Sequence, residues 1–60
     1  MTTAESIIDG RDIYRAMTVA EAMAIAVDQD WMDGTTTFTF RDGSRLVHDG
    51  YAVTVAERND

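Results

Sequence analysis

Two Asp-Gly pairs, Asp42-Gly43 and Asp49-Gly50, divide a stretch rich in Thr, Phe, Val and Tyr into segments of strand length. Tight turns between antiparallel strands need positive φ, which Gly adopts at little cost and Asp supports with its side chain. Gly34 to Glu57 therefore predicts a meander of three antiparallel strands. Its register follows from keeping the apolar side chains together. A two-residue first loop would place Phe38 and Phe40 with Arg45 and Val47, and send Leu46, Tyr51, Val53 and Val55 to the opposite face. A three-residue loop, Arg41-Asp42-Gly43 with Gly43 left-handed, sets Phe40 opposite Ser44 and Phe38 opposite Leu46. A two-residue turn at Asp49-Gly50 then sets Leu46 opposite Val53 and His48 opposite Tyr51. Phe38, Phe40, Leu46, Tyr51, Val53 and Val55 now share one face. A one-residue slip would invert every side chain, so this coherent register is the expected one. Thr37, Thr39, Arg45, Val47, Ala52 and Thr54 form the solvated face.

The chain before Gly34 reads as helical cover for that sheet. Thr2 to Glu5 fits a capping box and starts a first helix near Thr3, with Ile7, Ile8, Tyr14 and Met17 facing inward. Gly10 weakens that helix: the expected reading is a break near it, after which Asp12 could cap a short second piece, with a hairpin turn over Ile8 to Arg11 as the alternative. Thr18-Val19-Ala20-Glu21 is another capping box. It predicts a main helix running to about Asp33 and stopped by Gly34. Val19, Ala20, Met23, Ala24, Val27 and Trp31 would be its apolar face, laid on Phe38, Phe40 and Val53. Ile25 and Met32 fall off that stripe; without cover from the first helix they would be an exposed apolar patch. The expected fold is α+β: two helical segments packed on one face of a three-stranded antiparallel β-meander. The expected organisation is one domain over 1–60, helical over 1–33, a meander over 34–57 and a tail over 58–60.

Sixty residues approach the lower limit for a self-sufficient core, and with no Cys neither disulfides nor thiolate metal sites can reinforce it. The start, MTTAESII, lacks a basic segment followed by a long apolar one, and the longest apolar run, Ala22 to Val27, is too short to span a bilayer. These features predict a monomeric protein of the cytoplasm with no membrane partner.

Charge narrows the function. Eleven acidic residues stand against five basic ones, all Arg, for a net charge of −6. Such a chain avoids nucleic acid and anionic membrane and is drawn to basic surfaces. Asp28, Asp30 and Asp33 crowd the end of the expected main helix, where carboxylates oppose the macrodipole, and a broken local rule can mark function. Glu5, Asp9 and Asp12 would form one row on the first helix, with Glu21 and Asp28 a second. These seven carboxylates are the candidate partner-binding residues, spaced like a row of phosphates. Solvation of an acidic helix end competes evenly with that reading.

No catalytic residue, metal site or cofactor is expected. Asp28 to Gly34 resembles the start of a calcium loop, but Met32 stands where an oxygen ligand is needed and Thr39 where the bidentate Glu should be. His48 is the only His and has no recognisable nucleophile partner. Every Gly is isolated and follows an Asp, so no phosphate-cradling loop is present.

In size, acidity, absence of Cys and lack of enzyme motifs, the whole chain resembles the small acidic proteins by which phages and mobile elements block host nucleic-acid machinery, anti-CRISPR proteins above all. The resemblance implies an inhibitor in the host cytoplasm that binds a CRISPR effector subunit, with a basic DNA-binding groove of a Cascade-type complex as the target, blocked by DNA mimicry. No functional residue transfers from that family. Two alternatives compete. One is a halophile-type small regulator whose acidity serves solvation in high salt. The other is an antitoxin-like protein-binding domain that uses Ile25, Met32 and an edge strand.

Overall fold

The first helix, α1 (Thr3–Ile8), begins as its capping box predicts. The Thr2 hydroxyl accepts from the Glu5 N–H at 3.2 Å and donates to the Glu5 carboxylate at 3.0 Å. Asp9 then turns extended and Gly10 takes φ 71°. The Arg11 guanidinium donates to the freed carbonyls of Ser6 and Ile7 at 2.9 and 3.1 Å. These are the orphan acceptors that a helix end must satisfy. Asp12 caps α2 (Ile13–Met23) by accepting the Arg15 N–H at 2.9 Å. The computed structural model describes residues 2–56; the expected tail at 58–60 and the strand end at Glu57 lie outside the described residues.

Here the structure departs from expectation. Thr18 is no helix cap: it sits inside α2, its hydroxyl donating to the Tyr14 carbonyl at 2.9 Å. The helix ends at Met23, and Ala26–Asp30 is a strand, β1. With β2 (Thr35–Thr39), β3 (Arg45–His48) and β4 (Val53–Ala56) it forms a four-stranded antiparallel sheet in the order β1-β2-β3-β4. The three-stranded meander is therefore corrected to four strands, and the helical half ends near residue 24 rather than 33. The physical reason lies in the Asp-Gly pair at 33–34. Asp33-Gly34 closes a hairpin, not a helix: Gly34 takes φ 69° and its N–H donates to the Asp30 carbonyl at 2.8 Å. Ile25 and Val27 are β-branched and alternate with Ala26 and Asp28, a period that suits a strand. A strand also relieves Asp28, Asp30 and Asp33 of the dipole conflict that a helix would impose.

The β2–β3 connection has the predicted register, with Phe38 opposite Leu46 and the Phe40 N–H donating to the Ser44 carbonyl at 3.0 Å. The next turn moves. Leu46 lies opposite Val55 and His48 opposite Val53, not Val53 and Tyr51. Asp49 takes the position before the turn, its carboxylate accepting the N–H groups of Tyr51 and Ala52, each at 2.9 Å. Tyr51 drops out of the strand into the turn. The register shifts by two residues, an even number, so Phe38, Leu46, Val53 and Val55 still share one face.

The helices cover that face. Ala4, Ile7, Ala16 and Ala20 meet Phe38, Phe40 and Leu46 in the buried core, with Ile8, Met17, Val19, Val53 and Val55 around it. The small alanines let helix backbone approach the sheet closely. Burial of Ile7, Phe38, Phe40 and Leu46 contributes about 6–12 kcal/mol before entropy is counted. The helices approach β4 most closely. The layer leaves β1 uncovered, and all five of its residues are exposed. Val27 and Trp31, expected in the core, are 50% and 87% exposed.

Candidate functional site

The uncovered hairpin is where the remaining chemistry gathers. In β1 the side chains of Val27 and Gln29 lie on the helix-bearing face, because Val27 pairs with Phe38 and Gln29 with Thr36. Asp28 and Asp30 lie on the open face, opposite Thr37 and Thr35. That face continues through Val47 and Thr54 and, among the described residues, carries no helix. Asp28 stands there in solvent. Asp30 has a local duty as well, accepting the N–H groups of Met32 and Asp33 at 3.0 and 3.2 Å and so shaping the turn. Asp33 is exposed in that turn.

The meander brings the turn at 31–34 and the turn at 49–52 to the same end of the sheet. Trp31 and Met32 on one and Tyr51 on the other are almost wholly exposed. Asp30, Asp33 and Asp49 accompany them. The Asp49 carboxyl is held below its ordinary range by the hydrogen bonds from Ala52 and Tyr51. Aromatic residues and Met are enriched at protein-binding surfaces relative to the rest of a protein's exterior. Met23, at the end of α2, and Ile25, just before β1, are also more than half exposed.

Beside that end is a groove of about 450 Å³ lined by Ile13, Tyr14, Met17, His48, Gly50 and Tyr51. Its walls are mostly apolar, and His48 in it is half-buried. Among the described residues no three His, Asp or Glu side chains gather to hold a metal ion, and no helix is long and apolar enough to cross a membrane.

The other predicted site residues are dispersed. Glu5 and Asp12 serve caps, and Asp9 ends α1 in extended conformation. No single helix carries Glu5, Asp9 and Asp12, so the predicted row is not built. Glu21 is exposed on α2, and Asp28 is on a strand, so they form no helical row either. Asp28, Asp30 and Asp33 do belong to one structural unit, a hairpin rather than a helix end. Trp31 escaped sequence reasoning as a surface residue because the helical period placed it inward. The alternation from Ile25 to Asp30 was a signal for the strand, but no local signal marks Trp31 as exposed.

At the opposite end, the Asp42 carboxylate accepts from Thr3 N–H at 2.8 Å and from the Ser44 N–H and hydroxyl. The Ser44 hydroxyl accepts the buried Ala4 N–H at 3.1 Å. These bonds, the Ser44 hydroxyl foremost, hold the Asp42 carboxyl far below its ordinary range. This clasp fastens α1 to the β2–β3 turn and is architectural. Compared with protein-family models, curated protein sequences and solved structures, the chain matches none.

Proposed function

We propose that the protein is an acidic inhibitor that occupies a basic, nucleic-acid-binding surface of a host complex and blocks DNA binding there. The observation that carries this reading is the uncovered β1–β2 hairpin. It presents Asp28, Asp30 and Asp33 together with Trp31 and Met32, none of them used by the core. Net charge of −6 supports attraction to a cationic groove and repulsion from DNA itself. The exposed aromatic adds what charge alone lacks, an apolar anchor that can be desolvated at the centre of an interface. A DNA-binding groove of a CRISPR effector complex of the Cascade type is the target this reading selects.

The test is a triple variant, Asp28→Asn, Asp30→Asn and Asp33→Asn. Asn at 30 keeps the turn-shaping acceptor, so the melt should be unchanged. Inhibition of DNA binding by the effector complex should fall, and the wild-type effect should weaken with added salt, since exposed charges are screened beyond about 8–10 Å at physiological ionic strength. Full inhibition by the variant would remove these carboxylates from the site. DNA and inhibitor bound together at saturation would remove mimicry.

A further inference from the structure

The backbone at the free edge of β1 has a definite orientation. The Phe40 N–H donates to the Ser44 carbonyl, so the even-numbered residues of β2 direct their backbone groups to β3. Thr35, Thr37 and Thr39 must then direct theirs to β1, where they face Asp30, Asp28 and Ala26. The backbone groups of Val27 and Gln29 are left pointing away from the sheet, into the open edge. A strand added there would bond to those two residues. Asp28 would become the pair between them that is not hydrogen-bonded, the position where opposing side chains approach most closely.

We propose that the β1 edge is a strand-addition site for an extended partner segment that sets Arg or Lys opposite Asp28, with Trp31 anchoring it beyond the end of the strand. The proposal rests on the reading of the protein as a binder of basic surfaces and names the form in which that surface is met. Charge complementarity selects the occupant. Asp28 and Asp30 project on the same open face, so a cationic side chain opposite either is favoured. Two of the three antiparallel registers open to a second copy, those centred on Asp28 and on Gln29, set Asp28 against Asp28 or Asp30 of the copy, and like charges directly opposite destabilise a sheet. The same carboxylates thereby guard an edge that would otherwise invite self-pairing. Val27, half exposed, offers the incoming strand an apolar contact on the other face. Main-chain bonds supply affinity and alternate side chains supply selection, as in other strand-addition complexes.

The probe is a short capped peptide of alternating Arg and Val, with an alternating Glu and Val peptide as control. The Arg peptide should bind and slow amide hydrogen exchange at Val27 and Gln29. Gln29→Pro removes an outward N–H and keeps every charge; proline is tolerated where an edge N–H faces solvent. It should leave the melt intact and weaken the peptide by about tenfold or more. Asp28→Lys, an exposed change independent of backbone geometry, should transfer preference to the Glu peptide. Arg-peptide binding that is unaffected by Gln29→Pro and gives no protection at the two amides would overturn strand addition while leaving the charge-based reading standing. Equal binding of the Glu peptide to the wild type would overturn the cationic occupant. Absence of binding by either peptide would overturn the proposal, as would slowed exchange at Val27 and Gln29 produced by dimerisation alone.

Discussion

Replacing Ser44 by Ala removes one oxygen from the point where α1 meets the β2–β3 turn. Ser44 is 1% exposed, and its hydroxyl accepts from Ala4, itself fully buried. After the change the Ala4 N–H has lost its acceptor, and a buried donor left unsatisfied costs about 1–3 kcal/mol. The ceiling on that cost is release of α1. A helix of six residues has no stability of its own, so if the clasp opens it detaches and the burial of Ile7, about 1.5–3 kcal/mol, is lost. Both routes lead to a similar figure. At about 4–8 °C per kcal/mol for a domain of this size, the melting temperature should fall by about 4–24 °C. The assay is a circular-dichroism melt beside Ser6→Ala. Ser6 is on the same helix, but its hydroxyl donates to the Thr3 carbonyl at an exposed site, and its loss should cost less than about 0.5 kcal/mol. Equal melts for the two variants would refute the reasoning.

The clasp has a pH signature that strengthens the test. Asp42 has its folded pKa depressed, foremost by the Ser44 hydroxyl and then by the Thr3 and Ser44 N–H groups. Its stabilising effect is therefore present above the unfolded-state value of 3.8 and is lost as pH falls below it toward the folded pKa. Wild type should lose stability in that acid range. Ser44→Ala, lacking the largest contribution, should show a shallower acid limb. Identical slopes for the two proteins would show that Asp42 is not held as described.

The remaining tests concern the core and caps. Phe38→Ala should cost about 3–5 kcal/mol and abolish cooperative folding, whereas Trp31→Ala should leave the melt unchanged and weaken partner binding; a collapsed melt for the tryptophan variant would show that Trp31 is packed. Asp12→Ala should lower stability by about 1 kcal/mol through the lost cap of α2, measured by urea unfolding. Its contact with Arg15 at 3.9 Å, between side chains 80% and 62% exposed, should add almost nothing, so Arg15→Ala should be close to neutral.

Much of the fold is local and was open to sequence reasoning. Thr2 and Glu5 specify the start of α1, Gly10 its break, and Arg41-Asp42-Gly43 the loop that sets Phe38 against Leu46. Each of these rests on hydrogen bonds among residues a few positions apart, so the chain segment carries its own instructions. The same is true of the hairpin at Asp33-Gly34, whose signal was present but could equally end a helix. Between Thr18 and Asp33 the helical period and the strand period both find support, and local sequence does not choose between them. The choice belongs to tertiary structure. Asp12 starts α2 early enough for Ala16 and Ala20 to reach the core, and residues 26–30 pair with the Thr-rich strand β2. What surrounds the candidate site was less accessible still. That Val27, Trp31 and Met32 are exposed is a property of where two short helices end, because they cover the sheet toward β4 and leave β1 bare. The carboxylates Asp28, Asp30 and Asp33 could be named from sequence, but only the pairing of β1 with β2 decided which face they occupy and which backbone groups stay free beside them.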